Sequence, residues 1–275
     1  MPVIDVKAHP IAPDMGEYPP SDRKSWEGRP ASSWEQLMAF QDEAGIEKTV
    51  LVQSTGTYGF DNRYAAAGPK TYPDRFAWVG SVDVLAPDGA ERMEYWTREW
   101  GMSGLRIPTT GRTQETGWLA DRATFPVWAK AVELGIPVGV LNIGEAGLLR
   151  IEEIVQRFPG LTLIMDHLLS PPLSRAPRED LVEAFFRLAN YPGVHVQLTG
   201  PEFEPEVAEA LDRYLPRAID AFGTERLLWG SNFPTSPGSP GLLLKAAQSR
   251  LSFLPEADLN RIFYTNALNV YPALR

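Results

Sequence analysis

Residues 134–141 read LGIPVGVL and join an amphipathic segment, Ala123 to Leu134, directly to a short apolar run, Pro137 to Leu141. Gly135 follows the last apolar position of the helical pattern, where a left-handed residue ends many helices. Pro137 cannot continue a helix and opens the apolar run. The stretch therefore predicts a helix followed at once by a buried strand, which is typical of a chain that alternates the two.

The same junction, a Gly or a Pro-Gly pair between a helical and an apolar segment, recurs at residues 44–46, 158–161 and 191–194. Hydrophobic periodicity predicts eight strands and at least six helices. The predicted strands are Val3 to Val6, Thr49 to Gln53, Phe76 to Ser81, Gly104 to Ile107, Pro137 to Leu141, Leu161 to Met165, Val194 to Leu198 and Leu227 to Trp229. The predicted helices are Ser33 to Ala44, Asp88 to Trp100, Ala123 to Leu134, Leu148 to Phe158, Arg178 to Asn190 and Pro205 to Phe222.

Strands that alternate with helices pair in parallel through right-handed crossovers. Eight such units predict an α/β fold, a single (β/α)8 TIM barrel that spans residues 1–275 as one domain. An open doubly wound sheet is the alternative, but the first strand lacks the Gly-x-Gly-x-x-Gly of a dinucleotide fold. Residues 10–30, rich in Pro, Asp and Gly, predict a long loop over the active-site mouth.

Composition limits the partners of this chain. The formal net charge of −9 argues against nucleic acid and against an anionic membrane surface, which leaves a small molecule or another copy of the chain. Without cysteine, neither disulfides nor thiolate metal clusters can form, and there are only three histidines. The apolar runs are shorter than the roughly 20 residues of a membrane span and no signal peptide precedes them, so we expect a cytoplasmic protein.

Polar residues cluster where the predicted strands end, which is where a barrel carries its catalytic groups. Lys7 and His9 end the first strand, His167 the sixth and Asn232 the eighth. Asp5, Lys7 and His9 alternate at period two, so their side chains are expected on one face of the strand. Histidine suggests a metal, but a protonated lysine has no lone pair to offer one.

Five segments in chain order resemble the amidohydrolase superfamily, and within it the amidohydrolase-2 group of TIM-barrel lactonases and decarboxylases. They are VIDVKAHP at 3–10, LIMDHLLSPP at 163–172, VHVQLTG at 194–200, LLWGSNFP at 227–234 and YTNALNVY at 264–271. The resemblance implies a His-x-His pair, a mid-chain His and a final Asp that hold a water-activating divalent metal in many members. His9 and His167 match this pattern, but Lys7 replaces the first His and Asn232 replaces the Asp.

These two departures predict a degenerate metal site with no bound metal and no other cofactor. Two unit charges about 4 Å apart repel by about 4 kcal/mol at an effective dielectric near 20, and a dication doubles this. The Lys7 ammonium would instead polarise a substrate carbonyl, with His9 or His167 as general base. Asn232 would orient water or donate to an oxyanion.

The remaining site residues are weaker candidates. Arg106, at the end of the fourth strand, is placed to bind a substrate carboxylate, or else forms a salt bridge. Gln53 and Asn142 are expected to hydrogen-bond substrate and Tyr58 to line the pocket. Lys7 has a simpler alternative role, as the partner of Asp5 or Asp166 in a buried ion pair.

The predicted function is a metal-independent hydrolase that opens a small carboxylated lactone or cyclic ester. A decarboxylase or hydratase on the same scaffold is the first alternative, because the same cations would stabilise a carbanion. An inactive, ligand-binding barrel is the second. A homo-oligomer is possible.

Overall fold

The computed structural model describes residues 1–14, 16–21, 32–108, 117–141, 143–168, 178–203 and 207–275. All eight predicted strands are present, with ends within two residues of the predicted ones. They are β1 Ile4–Ala8, β2 Lys48–Val52, β3 Phe76–Val79, β4 Leu105–Pro108, β5 Val138–Leu141, β6 Leu163–Asp166, β7 Val194–Thr199 and β8 Leu227–Gly230.

The six predicted helices are confirmed, and further short helices follow β2 and β8. In the described ranges the α-helices are α1 Trp34–Ala44, α2 Thr55–Tyr58, α3 Arg63–Thr71, α4 Gly89–Trp100, α5 Phe125–Leu134, α6 Gly144–Arg157, α7 Glu179–Arg187, α8 Ala208–Phe222, α9 Pro240–Arg250, α10 Glu256–Asn260 and α11 Asn266–Val270. α1 and α5 end at Gly45 and Gly135, whose φ angles of 70° and 65° are the left-handed stops that the sequence predicts. In the part of the chain that the structure describes, no helix has the length and apolarity to cross a bilayer.

The strands form two parallel sheets, β1-β2-β3 and β4 to β8, that meet at two seams. One seam is bridged by Gly80 and Leu105, the other by Ala8 and Phe233. At the second seam, the backbone N–H of His9 donates to Phe233 O at 2.7 Å. The predicted TIM barrel is confirmed, and the strands run in the predicted parallel order.

Both faces of the strands are buried, which explains their nearly continuous apolar sequences. The outward side chains pack under the helices. Inward apolar side chains of the strands form a separate cluster, which Tyr271 and Leu274 join from the C-terminus. The barrel interior is therefore filled on the side where strands begin, and polar groups gather where strands end.

The predicted mouth loop lies partly outside the described residues, since 15 and 22–31 are among those not described. Its described ends are held in place. Ile11 and Ser32 form an antiparallel bridge, and the Ala12 backbone N–H donates to the Tyr58 hydroxyl at 2.8 Å. The position of the loop over the mouth stays a prediction.

β1 has a bulge that the sequence pattern does not show. Asp5 pairs with Thr49 and Ala8 with Leu51, so three steps along β1 match two along β2. A bulge re-aims side chains, and here the consecutive residues Val6 and Lys7 both line the barrel interior. The expectation of strict alternation from Asp5 through Lys7 to His9 is therefore wrong for this strand.

The buried Asp5 carboxylate joins β1 to β8 instead of meeting the Lys7 ammonium. Its Oδ1 accepts the backbone N–H of Ser231 at 2.8 Å and that of Lys7 at 3.0 Å. Burial raises the pKa of Asp5 to about 6, and the hydrogen bonds from Ser231 and Lys7 limit the rise. The carboxylate thus supplies hydrogen bonds at the seam between the two sheets.

Replacing Asp5 tests this seam. Asp5→Leu would leave two buried N–H groups without acceptors, and each costs about 1–3 kcal/mol, so the free energy of unfolding should fall by about 2–6 kcal/mol. Asp5→Asn keeps an oxygen acceptor and should lose less. Urea unfolding at pH 7 measures the difference, and equal stability of Asp5→Leu and wild type would contradict the assigned role.

Candidate active site

A buried ion pair lies at the centre of the strand ends. Lys7 Nζ is 2.8 Å from Asp166 Oδ2, and Arg106 Nε donates to the same oxygen at 3.2 Å. The three side chains are 1%, 6% and 7% exposed, in the order Lys7, Asp166 and Arg106. Two cations thus bind the same oxygen of one carboxylate.

The pKa values follow from this arrangement. Burial lowers the pKa of Lys7 to about 8, with Asp166 opposing the change and Arg106 adding to it. Burial alone would raise the pKa of Asp166, but Lys7 and Arg106 hold it at about 2. At neutral pH the pair is therefore ionised, and of its two members Lys7 is the one whose pKa lies nearer to neutral pH.

Lys7 fits between β1 and β8 because the residue of β8 that lies against it, Gly230, has no side chain. A Cβ atom added at Gly230 would lie 2.7 Å from Lys7 Cβ, closer than any side chain tolerates. Glycine at this position lets β1 and β8 approach each other. The predicted alternative that Lys7 pairs with Asp166 is correct in geometry, whereas Asp5 is occupied by backbone N–H groups.

His167 lies next to the ion pair, at the end of β6. Its Nε2 is 3.3 Å from Lys7 Nζ, and its Nδ1 contacts Thr199 Oγ1. Burial, and then the charge of Lys7, lowers the pKa of His167 well below its usual value, so the ring is neutral. Its Nε2 lone pair therefore accepts from the ammonium of Lys7.

His9 is fixed from the opposite side, at the end of β1. Nδ1 is 2.9 Å from Val52 O, which only accepts, so Nδ1 carries the hydrogen and Nε2 has the lone pair. Nε2 is 3.1 Å from Asn232 Oδ1, and Asn232 Nδ2 is 3.1 Å from Ser236 Oγ. Burial, then Arg106 and Lys7, lowers the pKa of His9 to about 3.

A neutral His9 explains why an amide suits position 232. The Nε2 lone pair needs a donor, and Asn232 provides one after a half-turn that exchanges its amide nitrogen and oxygen, which are similar in shape. A carboxylate there could only pair with a protonated ring. The neutral histidine and the neutral amide are therefore chemically matched.

His167 and Asn232 share an unusual backbone conformation. In the described ranges they are the non-glycine residues with positive φ, 64° and 58°. Asn adopts this region more readily than most residues, and strained backbone clusters at functional sites. Because each follows a strand end, the left-handed turn aims the side chain into the barrel instead of along the next loop.

The other predicted site residues have different surroundings. Tyr58, 3% exposed, packs against Tyr64 and accepts the Ala12 N–H, so it holds the base of the mouth loop. Gln53 Nε2 donates to Asp61 O at 2.5 Å and is bound to the loop after β2. Asn142 lies outside the described residues. Contact of any of these residues with substrate stays a prediction.

Sequence reasoning missed Thr199, Glu202 and Gln197, which are buried on or just after β7. Gln197 lines the cavity beside Lys7 and Arg106, and its Oε1 has no hydrogen-bond partner among the described residues. The sequence does contain a sign of them, because VQLTG places polar residues at the end of a predicted barrel strand. The same pattern singled out His167 and Asn232.

The order of these residues along the chain matches one family of enzymes. An amidohydrolase family model, Amidohydro_2, aligns with residues 4–273. The chain belongs to this amidohydrolase family. The family prediction from the five sequence segments is thereby confirmed.

The proteins that this chain resembles include a lactonase, a dicarboxylic acid hydrolase and an amidohydrolase by name. The L-fucono-1,5-lactonase of Burkholderia ambifaria is 27% identical over 197 residues, 70% of this chain and 67% of the relative. A probable 2-pyrone-4,6-dicarboxylic acid hydrolase from Acinetobacter baumannii, with citric acid bound, has a TM-score of 0.79 at 16% identity over 99% of this chain and 100% of its own. An amidohydrolase from Burkholderia multivorans with bound zinc gives a TM-score of 0.79 at 20% identity over 99% of both chains.

A divalent metal such as that zinc does not fit the donors at this site. The Lys7 ammonium lies 3.3 Å from the His167 nitrogen that would have to bind the ion. Asn232 offers a neutral amide in place of a carboxylate. Among described residues, no three His, Asp or Glu side chains are grouped to hold a metal ion. The site holds a fixed cation where a metal ligand is needed.

Restoring the two family residues tests this incompatibility. The double variant Lys7→His with Asn232→Asp should bind about one equivalent of zinc, because it gains a lone pair and a carboxylate and loses the ammonium charge. Wild type should bind none at this site. Isothermal titration calorimetry at pH 7 measures zinc binding. Adding His167→Asn to the double variant should abolish this binding. Zinc bound by wild type and lost with His167→Asn would contradict the argument.

Proposed function

We propose that this protein is a metal-independent lactonase that opens a small carboxylated lactone or cyclic ester. The observation that carries the proposal is the buried Lys7 ammonium, paired with Asp166 and touching His167. The named lactonase relative and the family assignment support the reaction class, a hydrolase acting on lactone bonds. The preference for a carboxylated substrate follows from the two cations at the site.

Substrate binding follows from the charge balance. Lys7 and Arg106 place two positive charges in contact with the single charge of Asp166, so an anion that enters next to the two cations is attracted. Glu202, whose charge also acts on Lys7, is hydrogen-bonded to the Thr199 backbone instead. The Arg106 Nε atom is bound to Asp166, while the guanidinium has further N–H groups that can donate to a carboxylate as a pair. A carboxylate on the substrate would therefore be oriented by Arg106, with the lactone carbonyl near Lys7.

The chemical step needs an electrophilic group and a base. Lys7 donates to the lactone carbonyl oxygen and stabilises the negative charge that develops as water adds to the carbonyl carbon. The water proton passes to Nε2 of His9 or His167, which first gives up the hydrogen bond that it accepts from Asn232 or from Lys7 as Lys7 turns to the carbonyl oxygen. When the ring C–O bond breaks, the leaving oxygen takes that proton back, and the open hydroxy acid is released.

An ammonium is a weaker electrophile than a dication, which fits the proposed substrate. A lactone carbonyl is more reactive towards water than an amide, so less activation is needed. Burial, and then the charges of Lys7 and Arg106, keep both histidines neutral at neutral pH, so each ring has a lone pair on Nε2. Asn232 completes the site as a neutral donor beside His9, where it can orient water.

A screen of lactones by acid release in a pH-stat tests the proposed reaction. Lys7→Met should lower kcat/KM about 100- to 1,000-fold, the usual loss for one oxyanion donor. Lys48→Met is the matched control, because Lys48 begins β2 and donates to Leu274 O away from the site. Carbon dioxide release from an acid substrate would point to the lyase, and no turnover of any lactone to the binding-only barrel.

The pH profile tests the charge state of Lys7. With a pKa of about 8, Lys7 loses its proton as pH rises through that value. If the ammonium is the electrophile, kcat/KM should fall about tenfold per pH unit above pH 8, after correction for hydroxide-catalysed hydrolysis. Lys7→Arg keeps its charge and should lack this alkaline limb. A rate that rises through pH 8 would show that neutral Lys7 acts as the base instead.

A further inference from the structure

The hydrogen bonds at His167 continue to a buried carboxylate after β7. His167 Nδ1 contacts Thr199 Oγ1, which is 3.5 Å from Glu202 Oε2. The same Glu202 oxygen accepts the Thr199 backbone N–H at 2.6 Å. Thr199 and Glu202 are 0% and 3% exposed. Lys7, His167, Thr199 and Glu202 thus form a continuous buried series that starts at the proposed electrophile.

The two ends of the series fix the direction of every hydrogen bond in it. An ammonium can only donate and a carboxylate can only accept. Lys7 therefore donates to His167 Nε2, and the neutral ring carries its hydrogen on Nδ1. That hydrogen is donated to Thr199 Oγ1, whose own hydrogen points towards Glu202. The reverse direction would place two hydrogens between Lys7 and His167.

We propose that Thr199 is a positioning residue for His167, and that Glu202 keeps the Thr199 hydroxyl turned so that it accepts. Together they hold the imidazole in the one orientation that aims the Nε2 lone pair at the Lys7 ammonium. A half-turn of the ring would put carbon atoms at both contacts. The inference rests on the proposed function, in which Lys7 and His167 act on the carbonyl and the water.

The left-handed backbone of His167 makes such support necessary. Its φ of 64° places the side chain in the barrel but does not set the rotation of the ring. The contact with Thr199 adds a second fixed point opposite Lys7, from a neighbouring strand. Groups that hold a functional histidine through its second nitrogen usually change affinity or activity 10- to 100-fold when removed.

A purely structural role for Thr199 and Glu202 can be separated from positioning. Glu202 supports the turn after β7 through the Thr199 backbone N–H, and that bond does not need the hydroxyl. Thr199→Val keeps the shape of the side chain and this backbone bond, while removing the acceptor for His167. Thr199→Ser keeps a hydroxyl and is the conservative variant.

The first measurement is NMR of protein with 15N-labelled histidine, with resonances assigned from a His167→Asn variant among only three histidines. Wild type should show a His167 hydrogen on Nδ1 that exchanges slowly with solvent. Thr199→Val should lose this protected hydrogen and Thr199→Ser should retain it. The control is Thr49→Val, which removes a different buried hydroxyl, one in β2 that accepts a hydrogen bond from Gln41 of α1. This variant should leave the His167 signal unchanged.

The second measurement is steady-state hydrolysis of a lactone found in the screen. Thr199→Val should lower kcat about 10- to 100-fold with KM changed less than about threefold, and Thr199→Ser should recover most of the loss. A His167 hydrogen on Nε2 in wild type, or full kcat in Thr199→Val, would overturn the proposal. Since the NMR needs no turnover, failure of the lactonase assignment would leave the positioning test intact and separately readable.

Discussion

The site depends on the buried pair of Lys7 and Asp166. Desolvation disfavours both charges, and their proximity at 2.8 Å keeps them ionised. Arg106, at 3.2 Å, stabilises the charge of Asp166 but opposes that of Lys7. Removing one member of such a pair leaves an uncompensated buried charge, which typically costs about 3–5 kcal/mol. Both histidines respond to the same charges, because Lys7 and Arg106 add to burial in keeping them neutral. Burial and these charges together therefore set the protonation of the two histidines.

The barrel provides the geometry that this pair needs. The bulge in β1 turns Lys7 inward next to Val6, and Gly230 leaves room for it at the seam with β8. Asp5 holds the seam together with hydrogen bonds to backbone N–H groups on both strands. Positive φ angles at His167 and Asn232 then bring side chains from β6 and β8 towards β1. Local backbone irregularity, placed at strand ends, converts a regular scaffold into a reactive site.

The two departures from the family pattern, at positions 7 and 232, are chemically consistent with each other. Lys7 is a cation where the resemblance implies a metal ligand, and Asn232 is a neutral amide where it implies a carboxylate. Asn232 is the better partner for a neutral His9, whose Nδ1 hydrogen is held by Val52 O. The site thus has two cations in contact with one carboxylate and two neutral histidines, which suits the anionic ester substrate that we propose. The Lys7 ammonium also sets the direction of the hydrogen bonds from His167 through Thr199 to Glu202, because it can only donate.

Hydrophobic periodicity and Gly or Pro stops act between near neighbours in the chain, so the amino-acid sequence was enough to predict the eight strands, the barrel and the residue types at the strand ends. It also predicted Lys7, His9, His167 and Asn232 as one group, since parallel strands all end at the same rim. It could not show that Lys7 pairs with Asp166 and not with Asp5, or that Thr199 contacts His167. These choices depend on a bulge, on left-handed backbone and on strand register, which bring together residues more than 30 positions apart and leave no periodic trace in the sequence.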